Sequence, residues 1–169
     1  MTAVEPGRGR PGWVLRAAIA VVGLAVTAVL HLEGVTLAPL ALYVALVGVS
    51  AAIPASAAVA LLIAYPPVAL VFVGGHPLRP GVLALVVLLH LLHVLCAYAA
   101  LIPVRSRLHL SALRRPALRF LAVQAGVLLL AAVVLLLPDG RTSAVVEVIG
   151  LLCAVGLVAG AVVLLRRGG

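Results

Sequence analysis

Residues 37–73 read LAPLALYVALVGVSAAIPASAAVALLIAYPPVALVFV, a run without one charged side chain. A single helix of that length would measure roughly 55 Å, against a bilayer hydrocarbon core of about 30 Å. The run must therefore fold back on itself. Ser50-Ala51-Ala52-Ile53-Pro54-Ala55-Ser56 is the stretch suited to a turn, which predicts helices over about 38–53 and 55–73.

The rest of the chain has the same character. Of its 169 residues, 66% are hydrophobic and 9% charged, and the mean hydropathy is +1.36. A soluble domain of this size needs far more polar surface to cover its core, so the expected solvent is lipid. Further apolar runs predict helices over about 13–31, 81–103, 117–137 and 144–165. The expected fold class is all-α: a polytopic integral membrane helical bundle of six transmembrane helices. It forms one domain over 13–167, with tails at 1–12 and 168–169 and a basic loop at about 104–117. The alternative is four spanning helices plus a re-entrant helical hairpin at 37–73 that never reaches the opposite face. Arg8, Arg10 and Arg16 ahead of the apolar run 17–30 imitate a signal peptide. No small-x-small cleavage site follows, so a retained first helix is expected, with Trp13 as its interfacial anchor.

Charge sets the orientation. All 12 basic residues are arginine, which together with the Ala, Val, Leu and Gly bias points to a GC-rich bacterial genome. If the N-terminus is cytoplasmic, ten of the 12 fall on the cytoplasmic side, leaving Arg79 and Arg141 opposite with Glu33, Asp139 and Glu147. This follows the positive-inside rule and predicts a multi-pass protein of the bacterial cytoplasmic membrane with both termini inside. It also requires 31–36 and 74–80 to share the outer face. A formal charge of +8 would suggest nucleic acid in a soluble protein. Beside apolar helices it is a topology signal, and no nucleic acid is expected.

Chemistry-bearing residues are few. His90-Leu91-Leu92-His93-Val94-Leu95-Cys96 places two imidazoles and a thiol near mid-span on one helix. Residues three apart lie on neighbouring ridges, and polar groups at that depth point by default into the bundle or a cavity. Interhelical hydrogen bonding, a proton-linked or substrate-contacting role, and a metal or haem site are the three readings. Too few partners lie at matching depth to complete a ligand set, so no metal or cofactor is expected. Pro66-Pro67 predicts a kink, or a helix break lining a pocket. Arg105, Arg107, Arg114, Arg115 and Arg119, interleaved with Leu108, Leu110 and Leu113, predict a short interfacial helix. Such a segment contacts anionic lipid or a protein partner, or serves only as a topology determinant.

Small residues at Gly156/Gly160, Ala122/Gly126 and Ser56/Ala60/Ala64 have helix-packing spacing and offer partner-facing surfaces. Cys96 and Cys153 lie in apolar runs and are expected to be free thiols. His31, Glu33, Asp139 and Glu147 would be ordinary loop residues or a weak cation entry site. No HExxH, GxSxG, P-loop or dinucleotide glycine pattern occurs, so no enzymatic activity is expected. In size and helix count the chain resembles the small substrate-capturing subunits of energy-coupling-factor vitamin transporters, a likeness of architecture that no motif carries. The expected function is that of an accessory or scaffold subunit of a membrane complex. The alternatives are a transport component with a pocket between helices three and four, near Pro66-Pro67 and His90/His93, and a metal or haem protein.

Overall fold

A computed structural model describes residues 10–76, 78–102, 107–108 and 113–136, with helical positions at 148–149, 152–153 and 156. The chain divides into two compact units, Met1–Val134 and Leu135–Gly169. The described part of the first unit contains five helices, α1 (Trp13–Leu32), α2 (Leu37–Ala52), α3 (Ala58–Val73), α4 (Pro80–Leu101) and α5 (Arg114–Leu136). Two residue pairs, β1 (Arg10–Pro11) and β2 (Arg107–Leu108), form a minimal antiparallel ladder.

Helices α1 to α4 close a four-membered ring. α1 packs on α4 and α2, α2 on α3, and α3 on α4. The ends of the helices show that they alternate in direction. Arg16, in the first turn of α1, donates from Nη1 to the carbonyl of Ala52 at the end of α2. At the other end of the ring, Glu33 just after α1 pairs with Arg79 just before α4. Arg79 also donates from Nη1 to the carbonyl of Gly74, after α3, at 2.7 Å. Segments 32–36 and 74–80 therefore share one end of the bundle, as the charge pattern requires. The Ile53–Ala57 turn shares the other end with Arg16.

Local sequence explains the joints. α1 stops in a Schellman motif: Gly34, at φ 100°, donates to His31 O at 3.0 Å, and Val35 donates to Leu30 O at 3.0 Å. Leu30 and Val35 are both buried, which supplies the accompanying apolar contact. Pro39 falls in the first turn of α2, where a missing amide costs nothing. Pro80 opens α4 in the same way. Leu15, Ile19, Val26 and Leu30 of α1 meet Leu40, Tyr43 and Val47 of α2, Leu62 of α3, and Leu85, Leu92, Cys96 and Ala99 of α4 in the core.

Three expectations change. α1, α4 and α5 are long and apolar enough to cross a membrane, but α2 and α3 have 16 residues each, about 24 Å. Six spans are thus not seen. Five helices are described, three of them of spanning length, and most of 144–165 lies outside the described residues. The turn and Ser56 take residues that the sequence had assigned to the third helix. Second, Pro66 and Pro67 do not break α3, which runs unbroken from Ala58 to Val73. Third, Arg107–Leu108 is extended and paired with Arg10–Pro11 rather than helical. Arg114, Arg115 and Arg119 belong to α5, whose start lies earlier than expected, and Arg105 lies outside the described residues.

The surface is inverted relative to a soluble domain. Val21, Leu24, Leu61, Val71 and Phe72 are exposed, while Ser50 and Gln124 are the buried polar residues among those described. On α5, Leu118, Leu121, Leu128, Leu129, Leu130 and Val133 to Leu136 are all exposed, and only Gln124 and Ala131 are buried. Contiguous apolar surface on this scale is incompatible with a monomer in water. It is the build of a helical membrane protein.

Candidate functional site

The residues His90, His93 and Cys96 of α4 do not form one site. Cys96 is buried in the core between the helices of the ring, whereas His93 is exposed. His90 turns toward α5, with its ring 4.8 Å from that of Phe120 and Nδ1 3.1 Å from Nε2 of Gln124. A step of 100° per residue explains the divergence, since His90 and Cys96 end up about 120° apart around the helix. Cys96, expected at the margin of the histidine face, thus lies beyond it, in the core. Among the described residues no group of three or more His, Cys, Asp or Glu side chains could hold a metal ion.

The His90–Gln124 contact is the polar link between α4 and α5. Gln124 is 6% exposed, yet it is the one uncharged polar side chain in an otherwise apolar helix. Its amide gives Nε2 to the imidazole, and Oε1 has no partner among the described residues. The sequence reading singled out His90 but not Gln124. A lone glutamine inside the uncharged apolar run 120–136 was the available signal.

A second cluster ties three helix ends together. Glu33 and Arg79 have side-chain exposures of 14% and 23%. The Glu33 carboxylate lies against Gly81 in the first turn of α4, where any β-carbon would overlap it. That position also sets a negative charge at a helix N-terminus. Gly75, at φ 100°, leaves room for the Arg79 guanidinium in the same manner. Glu33 is thus an ion-pair member rather than a solvated loop acid or part of a cation entry site. Asp139, Arg141 and Glu147 lie outside the described residues.

Two concavities open at this Glu33 end. The larger, about 580 Å³, runs between the start of α2 and the second half of α3, lined by Thr36, Pro39, Tyr65, Val68, Ala69 and Phe72 among others. The smaller, about 380 Å³, lies between α3 and α4, with Pro67, Leu70, His76, Arg79 and Val82 in its wall. Pro67 therefore borders a cavity, whereas Pro66 is buried in the bundle. This concavity between α3 and α4 lies at the end of the bundle, and neither His90 nor His93 lines it.

At the Arg16 end, the β1–β2 ladder joins the segment before α1 to the segment before α5. Arg114, Arg115 and Arg119 are exposed in the first turns of α5. Ala122 and Gly126 are exposed too, and no atom lies within 4 Å of where a Gly126 β-carbon would sit. Gly156 is likewise open, and Gly160 lies outside the described residues. Close packing is instead done by Gly23 of α1, against Val47 of α2. No family model, curated protein or solved structure matches this chain.

Proposed function

We propose that the chain is a small, non-enzymatic integral protein of the bacterial cytoplasmic membrane that serves as an accessory or scaffold subunit, with α5 as the helix it offers to a partner. One observation carries this reading: among the described residues α5 buries only Gln124 and Ala131, half-buries Phe120 and Val127, and leaves most of its other apolar side chains exposed. A helix so thinly attached to its own bundle adds little to the core. Its exposed Ala122 and Gly126 would permit close approach of another helix. Arg114, Arg115 and Arg119 at its start would meet acidic groups of a partner or of lipid, at about 1 kcal/mol each.

The orientation proposed is N- and C-termini in the cytoplasm, from the arginine distribution. The Ile53–Ala57 turn lies beside Arg16, which supports two crossings by α2 and α3 over a re-entrant hairpin. Their shortness would be met by local thinning of the bilayer. With residues 144–165 as a further span, the crossings would number six.

Site-specific photo-crosslinking in the native membrane tests the partner. A crosslinker at Leu129 or Gly126 should give one discrete protein adduct, and one at Val21 of α1 should give lipid adducts alone. Lipid adducts from all three positions would refute the scaffold role. A transport component is the second reading, favoured by the cavity between α3 and α4. It requires a ligand that raises the melting temperature of the wild type but not of Val82→Trp.

A further inference from the structure

We propose that the groove between α2 and α3 at the Glu33 end is a non-annular lipid site, which holds one acyl chain of a membrane phospholipid with its ester region at Thr36. The proposal rests on the membrane reading above and goes beyond it. At about 580 Å³ the groove falls within the roughly 300–1,000 Å³ typical of small-molecule sites. Its walls are Val35, Pro39, Val68, Ala69, Phe72 and Val73, and no charged side chain lines it. A charged or strongly polar ligand would be desolvated there without compensation. An apolar chain loses nothing.

The polar groups have an order along the groove. Thr36 lies at the mouth, exposed, in the N-cap position of α2, yet its hydroxyl makes no capping hydrogen bond. That hydroxyl is free to donate to an ester carbonyl. The first amides of α2 add a partial positive charge at the same level, which favours the oxygen-rich region of a glycerolipid. Tyr65 lies two turns of α3 deeper than Phe72 and Val73, about 10–12 Å along the helix, and is packed beside Tyr43 with ring centroids 5.4 Å apart. The groove therefore has its hydroxyl and helix-end amides at the level of a membrane interface and, below it, apolar walls with the single phenol of Tyr65. Phe72, 86% exposed, and Val68 border its open side, so the chain would enter laterally from the bilayer.

The test is photolabelling of the full chain in phospholipid vesicles containing a phosphatidylglycerol with a diazirine in its acyl chain, with adducts mapped by mass spectrometry. The expected result is several-fold more adduct on Tyr65, Val68, Ala69 and Phe72 than on Leu128, Leu129 and Leu130 of α5. Val68→Trp, at an exposed position, should remove that excess while leaving α5 labelling unchanged. Native mass spectrometry should show one retained lipid on the wild type and none on Val68→Trp. Equal labelling of the groove and α5 would overturn the site while leaving the membrane reading intact. An excess in the groove that survives both Val68→Trp and Ala69→Phe would also overturn it. Absence of adducts from the whole chain would overturn both.

Discussion

Replacing Gly23 by alanine tests the tightest helix contact in the bundle. A β-carbon on Gly23 would lie 2.6 and 2.7 Å from the two γ-carbons of Val47 and 3.2 Å from its β-carbon. Carbon atoms pack at about 3.5–4.0 Å, so α1 and α2 would have to separate locally by roughly 1 Å. Val47 cannot swing aside, because it is buried and β-branched, with one preferred rotamer in a helix. Overpacking of this kind costs about 1–3 kcal/mol. Alanine in place of glycine returns up to about 1 kcal/mol of helix preference. The net loss for Gly23→Ala should be about 1 kcal/mol. Gly48→Ala supplies the control: it is one position from Val47 and has no atom within 4 Å of its missing β-carbon, so only the gain applies. The assay is reversible unfolding in mixed detergent micelles followed by circular dichroism, on Gly23→Ala, Val47→Ala, the double variant and Gly48→Ala. Gly23 and Val47 should be coupled by about 1–2 kcal/mol, within the usual range for residues in contact. If Gly23→Ala stabilises as much as Gly48→Ala and the coupling is zero, the close approach of α1 and α2 is wrong.

Arg79→Leu should destabilise by about 1.5–3 kcal/mol because it strands the partly buried Glu33 carboxylate; adding Glu33→Leu should recover most of the loss in the same unfolding assay. Gly81→Ala should resemble Glu33→Gln in its melting temperature, since a methyl group there displaces the carboxylate. Gln124→Leu should cost about 0.6–1.7 kcal/mol, as intramembrane hydrogen bonds do, and His90→Leu should restore stability in the Gln124→Leu background; independent losses would show that the contact is not formed. In a chain with Cys96 and Cys153 replaced by alanine, Ile53→Cys and Arg114→Cys should react with an impermeant maleimide only from the cytoplasmic side, and His76→Cys only from the outer side. Labelling of Ile53→Cys from outside would restore the re-entrant hairpin.

The helices were legible because lipid demands uninterrupted apolar runs, and such runs survive any choice of packing partner. The expected starts of α1 and α4 agree with the described ones to within a residue. The misses arose where local chemistry competed with hydropathy. Ser56 and Ala57 are apolar enough to read as helix, but the chain needs them to close the turn after Pro54, where Ser56 donates to Ile53 O at 3.0 Å. Pro66-Pro67 read as a kink or a break because proline removes amides, and it frees only the carbonyls of Leu62 and Ile63 from their usual donors. α3 keeps its helical path across them. Leucines at 108, 110 and 113 had an amphipathic look, but a sequence cannot show that Arg107–Leu108 will find backbone donors and acceptors at Arg10–Pro11, nearly a hundred residues away.

The candidate site was less legible for a reason specific to membrane helices. In water, apolar residues reveal the buried face of a helix, so the periodicity of hydropathy points inward. Here every face is apolar, and direction has to be read from the rare polar side chains and from glycine. His90 and His93 read as neighbours on one face, with Cys96 at its margin, because each step of three turns only about 60° back around the helix. Two such steps carry Cys96 into the core, leave His93 outside and aim His90 at Gln124. Gln124 and Gly23 carried the directional information. The one seeks a hydrogen bond that lipid does not offer; the other admits a neighbouring backbone that a side chain would exclude. Glu33 and Arg79 belong to the same class, since their charges pair with each other across two helix ends that the sequence holds far apart. In a chain of this composition, then, each isolated polar residue or glycine within an apolar run specifies a neighbour, and the long apolar stretches specify only depth.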